Sequence, residues 1–195
     1  MKHIYIALLA ALTLSACASG AEPGAMSVGL SQHTIIEESS PLSNSIEVAE
    51  VIGGKKTNPA WTSEVSNEAF LEALKQSLQV HTMLSSGDAR LKLNAELLEL
   101  DQPLFGTSFT VTAVVHYTLT NVSTGEVIFD RNVTTPYTAS FGDALYAAKR
   151  LRLANEGAIR KNIQRLMENL VTEAKKDPEK FGDKPELMMS QLRLF

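Results

Sequence analysis

Cysteine is nearly absent from this chain: among 195 residues only Cys17 carries a thiol. A disulfide needs two cysteines, and structural zinc sites are built from clusters of cysteine and histidine. The chain therefore forms no internal disulfide and has no set of cysteines to hold a metal ion. We expect its stability to come from packing alone.

Motifs for catalysis, cofactors and metals are also missing. After position 17 the histidines are His33, His81 and His116, which lie far apart and in different predicted elements. The sequence contains no His-x-x-x-His pair, no Asp-x-Asp pair and no Gly-x-Ser-x-Gly elbow. We predict a protein that is not an enzyme and binds no cofactor. A hydrolase is an alternative that requires acidic or basic side chains converging in one cleft.

Positive charge is sparse, because the chain has 18 lysines and arginines and 22 aspartates and glutamates, which gives a net charge of −4. Nucleic-acid binding needs a concentrated basic surface, and the sequence shows no such cluster. We therefore exclude nucleic acid as a partner. The hydrophobic content of 44% is ordinary for a globular protein.

The first 17 residues have the three parts of a secretory signal. Lys2 and His3 form a weakly basic start, residues 4–14 are apolar, and small residues lead to Cys17. The apolar run is too short to span a bilayer stably.

The closing run Leu14-Ser-Ala-Cys17 resembles the bacterial lipobox. That resemblance implies a diacylglyceryl group on the Cys17 sulfur, cleavage just before Cys17, and a third acyl chain on the new N-terminus. Two chains already anchor a protein stably. Because Ala18 rather than aspartate follows the cysteine, the resemblance also implies the outer membrane, with the protein facing the periplasm. Removing the first 16 of 195 residues leaves 179.

Four segments follow from composition. Residues 1–16 are the signal peptide, and residues 17–45 are the lipidated cysteine and a flexible tether rich in small residues and Ser/Pro/Asn clusters. Residues 46–175 are the folded domain, and residues 176–195 are a charged loop and a short amphipathic tail. Fully extended, the tether reaches about 90 Å at ~3.3 Å per residue, so the domain need not touch the membrane. The tail either packs on its own domain or binds a partner.

Hydrophobic periodicity predicts the elements of the domain. Alternation predicts strands over 46–52, 89–97, 109–119 and 126–135, whereas helical spacing predicts helices over 67–81 and 142–175. A slip at Leu97-Leu98 predicts a bulge, and Arg131 on an otherwise apolar face predicts an edge strand. Short connections require an antiparallel meander. We predict an α+β two-layer sandwich, in which two helices cover one face of a mostly antiparallel four-stranded sheet.

The segment Pro103-Leu104-Phe105 is predicted to contact a partner. It lies between two strands, and an apolar hairpin tip normally avoids water. The alternative is that the tip folds against the long helix.

Arg152 and Glu156 lie on one side of the long helix, four residues apart. This spacing suits an ion pair at the margin of the buried face. The alternative is a buried pair that binds a lipid or another amphiphile.

Three segments resemble a family of uncharacterised proteobacterial lipoproteins: residues 57–63 (TNPAWTS), 100–106 (LDQPLFG) and 150–160 (RLRLANEGAIR). Over residues 46–172 the order of elements is similar to the lipopolysaccharide-assembly lipoprotein LptE, and to the YajG-type and transport-auxiliary lipoproteins. These likenesses imply a small lipoprotein facing the periplasm. We therefore expect a noncatalytic accessory protein that binds an envelope partner in transport or assembly. The alternative is a periplasmic carrier of lipids or amphiphiles.

Overall fold

A computed structural model describes residues 19–30, 38–58 and 63–182 of the chain. Cys17, Trp61 and the predicted C-terminal tail lie outside these ranges. In chain order the described helices and strands are α1 (Pro23–Met26), β1 (Ile46–Ile52), α2 (Asn67–Val80), β2 (Leu91–Asp101), β3 (Phe109–Asn121), β4 (Val127–Ala139), α3 (Ala147–Lys176) and α4 (Pro178–Phe181).

The four strands form one open sheet in the order β1-β2-β3-β4. β2, β3 and β4 pair antiparallel as the predicted meander, whereas β1 pairs parallel with β2. The α+β class is confirmed, and the sheet is mixed rather than purely antiparallel. A parallel pair needs a long crossover, which the stretch containing α2 supplies. The register shifts between Leu97 and Glu99, where the predicted bulge leaves Leu98 exposed.

Both long helices cover the same face of the sheet, as predicted. The inward residues of β3 alternate with mostly polar outward residues and are buried beneath α3, whereas α2 packs on β1. Ser66 caps α2 by accepting the amide hydrogen of Ala69 at 3.1 Å. At Gly157 in α3, an added methyl group would overlap the ring of Tyr137, so glycine lets α3 lie close to β4.

A buried amide joins α3 to the sheet. The Tyr117 hydroxyl donates to Asn162 Oδ1 at 2.9 Å, and Asn162 Nδ2 donates to Val133 O at 2.8 Å and Thr135 Oγ1 at 3.0 Å. Tyr117 and Asn162 are both fully buried. Burial raises the pKa of the Tyr117 hydroxyl far above its ordinary value, so it stays protonated and acts as the donor.

The long helix begins at Ala147, not at residue 142 as predicted. Residues 140–146 form turns. Within them the Asp143 carboxylate accepts two hydrogen bonds from Ser140, one from its amide nitrogen at 2.7 Å and one from its hydroxyl group at 2.8 Å. These two hydrogen bonds hold the pKa of Asp143 below its usual value. Phe141 and Leu145 continue the apolar spacing of the predicted helix, and both side chains are exposed.

The described part of the chain after Lys176 also differs from the predicted charged loop. Asp177 caps the short helix α4 by accepting the amide hydrogen of Lys180 at 3.3 Å. The side chain of Phe181 is buried and joins the core. The core therefore extends past the predicted domain boundary.

The segment predicted as a flexible tether is held against the domain at several of its described residues. We call residues 19–30 the N-terminal strap. In the strap Met26 and Val28 are buried, the amide hydrogen of Val28 bonds Ser77 Oγ at 2.9 Å, and Arg160 Nη1 donates to Ala25 O at 2.9 Å. Farther along, Leu42 is also buried. These residues are part of the domain.

Candidate functional site

The connections at one end of the sheet form the candidate site. Because β1 and β2 run parallel and the other strands form a meander, the loops 53–66, 102–108 and 140–146 share this end. The register confirms the placement, since Phe109 at the start of β3 faces Ala139 at the end of β4. The first turn of α3 begins there too.

Large apolar side chains project from this end into solvent. Leu104 is 94% exposed and Phe105 is 86% exposed, so the tip does not fold against the long helix. Pro103, the third residue of the predicted contact, is half-buried. We call the exposed set the apolar end; it comprises Leu104, Phe105, Phe141, Leu145 and Tyr146.

Arg150 ties the two loops of the apolar end together. Its Nη1 donates to Ala144 O at 2.8 Å and to Leu145 O at 2.9 Å, and its Nη2 donates to Gly106 O at 3.4 Å. The guanidinium also lies over the rings of Phe109 and Phe141, with its central carbon 5.2 and 5.3 Å from their centroids. Sequence reasoning missed this residue because an arginine in the first turn of a helix is usually solvated.

The N-terminal strap begins beside the apolar end. Ser63 Oγ donates to Ser19 O at 2.8 Å, and the amide hydrogen of Ala21 bonds Glu64 O at 3.0 Å. The carbonyl of Ser63 accepts hydrogen bonds from Gln102 Nε2 at 3.0 Å and Asn155 Nδ2 at 2.9 Å. Ser63 thus links Ser19 to Gln102, which begins the loop that contains Leu104. Ser19 follows Cys17 by two residues.

Arg152 and Glu156 form the predicted ion pair, with Arg152 Nε 3.5 Å from Glu156 Oε1. Glu156 Oε1 also accepts the amide hydrogen of Glu22 at 3.0 Å, and Arg152 Nη1 donates to Ser19 Oγ at 2.8 Å and Glu22 Oε1 at 3.1 Å. Burial raises the pKa of the Glu156 carboxyl, while the Glu22 amide and Arg152 partly oppose the rise. The charged groups of Arg152 and Glu156 thus already bond the strap. This argues against the alternative that the same groups bind an amphiphile.

The other polar features of the described residues are scattered acidic groups and a histidine cluster on the sheet. No group of three or more histidine, cysteine, aspartate or glutamate side chains within the described ranges is placed to hold a metal ion. On the open face of the sheet, His116 Nδ1 lies 2.7 Å from Asn132 Oδ1, and His116 Nε2 lies 3.3 Å from Asp130 Oδ1. The hydroxyl oxygen of Thr118 lies 3.3 Å from the same Nε2 atom and belongs to this cluster.

An open cavity of about 410 Å³ lies beside the end of β2. Its lining includes the charged residues Lys55, Glu64, Glu99 and Asp101. A carrier of lipids needs a predominantly apolar pocket, which this cavity does not offer. None of the helices in the described ranges is both long and apolar enough to cross a bilayer.

Comparisons with known proteins reveal similar folds. No protein-family model matches the chain, and no curated protein matches it. A DUF330 protein from Xanthomonas campestris aligns at 12% identity over 76% of this chain and 96% of its own, with a TM-score of 0.55. Protein CT253 from Chlamydia trachomatis aligns at 12% identity over 68% of this chain and 96% of its own, with a TM-score of 0.47. A minor lipoprotein from Acinetobacter baumannii aligns at 15% identity over 68% of this chain and 92% of its own, with a TM-score of 0.41. The chain thus shares its fold with the Xanthomonas campestris protein.

Proposed function

We propose that this chain is an outer-membrane lipoprotein that faces the periplasm and serves, without catalysis, as an accessory protein for an envelope partner. The observation that carries the proposal is the position of Ser19. This residue is hydrogen-bonded into the domain only two residues after the lipobox-like Cys17.

Two residues of extended chain span at most about 7 Å. Acyl chains on Cys17 therefore hold the apolar end of the domain against the membrane, whereas a long tether would leave the domain free to tumble. The remaining surface, including the open polar face of the sheet, is then presented to the periplasm in one orientation. A fixed orientation suits a protein that positions a partner.

The lipid anchor is tested on the full-length chain produced in a bacterium with an outer membrane. We expect the mature protein to lack residues 1–16, to carry three acyl chains on Cys17, and to sediment with the outer membrane. Cys17→Ser removes the acylated thiol, and we expect that variant to lose all acyl mass. An unmodified Cys17 in the wild-type chain contradicts the proposal.

The accessory role is tested by native mass spectrometry of the acylated protein, extracted gently from its own envelope. We expect a second envelope protein to be retained at a fixed stoichiometry. A retained small lipid, beyond the acyl chains on Cys17, supports the carrier alternative instead. A bare acylated monomer contradicts the accessory role.

A further inference from the structure

The apolar end lacks an assigned binding partner, although it is the most exposed hydrophobic feature of the described residues. We propose that it inserts into the surface of the same bilayer that holds the acyl chains of Cys17. This inference rests on the proposed lipid anchor, and it names the lipid surface as the partner of Leu104 and Phe105.

The first argument is composition. Soluble proteins rarely leave large apolar side chains clustered in water, and such a cluster marks a contact surface. Here leucine and phenylalanine project farthest, with Leu104 94% and Phe105 86% exposed, and Tyr146 lies in the neighbouring loop. Apolar tips flanked by an aromatic residue with a polar group suit the boundary between acyl chains and headgroups.

The second argument is position relative to the anchor. Ser63 joins the two segments, because its hydroxyl binds the carbonyl of Ser19 and its carbonyl accepts from Gln102. Gln102 precedes Leu104 by two residues, and Ser19 follows Cys17 by two. Ser19 and the exposed tip therefore lie at the same end of the domain.

The third argument is that backbone groups behind the apolar side chains are already hydrogen-bonded. Arg150 binds the carbonyls of Ala144, Leu145 and Gly106, and Asp143 binds Ser140 within its own turn. Burying a polar group costs free energy unless it is hydrogen-bonded. These internal bonds lower the cost of moving the two loops toward the headgroups.

The opposite end of the sheet supplies a matched control. Val122 lies in the turn between β3 and β4, is exposed, and belongs to no loop of the apolar end. A probe at Val122 therefore reports how far the far end of the domain stays from the bilayer.

The experiment uses the acylated full-length chain, in which the sulfur of Cys17 is blocked and one introduced cysteine takes the dye. Phe105→Cys, Leu145→Cys and Val122→Cys are each labelled with an environment-sensitive fluorophore. Each protein is reconstituted into vesicles of phosphatidylethanolamine and phosphatidylglycerol. Parallel vesicles carry brominated acyl chains, which quench a dye that enters the hydrocarbon.

We expect the dyes at positions 105 and 145 to shift to shorter emission wavelengths and to be quenched by brominated lipid, while the dye at position 122 does neither. Dyes at 105 and 145 that behave like the dye at 122 overturn the proposal. Shielding at 105 that appears only after an envelope protein is added also overturns it, because the occupant is then a protein.

Failure of the lipid anchor is detected separately, from the mass of the chain before labelling. In that case the Phe105→Cys and Val122→Cys changes are made in a Cys17→Ser chain, which is added to the same vesicles. Shielding at 105 but not at 122 then supports insertion without an anchor, and no shielding at either position overturns insertion.

Discussion

Asn162 is a fully buried polar residue through which α3 is hydrogen-bonded to two strands of the sheet. Its amide joins the hydroxyl of Tyr117 to the backbone carbonyl of Val133 and to Thr135, all in the buried layer. A polar group left unpaired in such a place costs more than a hydrogen bond contributes when it is made.

We predict that Asn162→Ala lowers the free energy of unfolding by about 2–4 kcal/mol, because it leaves the Tyr117 hydroxyl without its acceptor and opens a cavity. Tyr117→Phe removes only the hydroxyl, and we expect a loss of about 1 kcal/mol. Denaturant titration of the single and double variants measures both losses and their coupling. A loss at Asn162→Ala no larger than that at Tyr117→Phe contradicts this role.

Residue-level features were predictable where the pattern is local. Tyr117 occupies an inward position in the alternation of β3, and it is buried as the pattern requires. Asn162 and Arg150 gave no such indication, because polar residues in a helix usually face water. The partners of Asn162 come from strands that are distant in sequence, and Arg150 also bonds Gly106, 44 residues earlier, so only the folded chain shows why both are buried.

At the scale of elements, the N-terminal strap is the largest difference between expectation and structure. Its residues are small and lack periodicity, which is typical of a flexible linker. The groups that hold it come from distant positions, since the amide of Glu22 binds the carboxylate of Glu156, 134 residues later. Such a contact leaves no trace in a local pattern.

We predict that the burial of Glu156 makes the stability of the domain pH-dependent. The pKa of this carboxyl is raised by burial from an ordinary value of 4.5, so in the window just above pH 4.5 the folded state binds more protons than the unfolded state. The free energy of unfolding therefore falls as the pH rises through that window toward neutrality.

Glu156→Gln tests this dependence, because the side-chain oxygen can still accept the Glu22 amide hydrogen while the titrating group is gone. Urea titrations from pH 4.5 to neutrality should show a flatter dependence than in the wild-type chain. Glu72→Gln, at an exposed position of α2, serves as the control and should keep the wild-type dependence. An equally steep dependence in Glu156→Gln rejects Glu156 as its source.

The other elements also divide into those that a local pattern predicts and those that it does not. The strands and the bulge followed from period-two alternation, and the meander followed from the short connections. Arg131 predicted an edge strand, and it does lie on the edge strand β4, where it binds Glu173 at 3.0 Å. The sequence predicts too early a start for α3 because Phe141 and Leu145 continue the helical spacing of the residues after them. Both residues have the spacing of a helix, but residues 140–146 form turns instead.

At the scale of the whole molecule, the α+β class and the shared helix face were predictable, whereas the place of β1 in the sheet was not. Strand alternation specifies which side chains face inward, but it does not specify a neighbour. The parallel pairing of β1 with β2 matters for function, because it brings the loop after β1, which contains Ser63, to the end where β2 leads into Leu104.

We predict that the short connection between Cys17 and Ser19 sets the orientation of the domain. A Gly-Ser spacer of about ten residues, inserted between Ala18 and Ser19, adds up to ~35 Å of reach without touching a described hydrogen bond. The thermal unfolding midpoint should stay unchanged. The lipid shielding of a dye at Phe105→Cys in the acylated chain should fall.

The same spacer inserted after Thr124, in the turn between β3 and β4, is the control and should leave the shielding of that dye as it was. Equal shielding with the spacer at either place contradicts the prediction. The orientation of the domain would then be independent of the length of the connection.

The hydrogen bonds at Ser19 have a consequence for how strongly the apolar end must bind lipid. A chain that is already anchored meets the bilayer at an effective concentration set by the length of its connection, and two residues make that concentration very high. The apolar end therefore needs only a weak intrinsic affinity for lipid to be engaged most of the time. The apolar end can therefore be small. Two unanchored copies of the chain then have little tendency to associate through it.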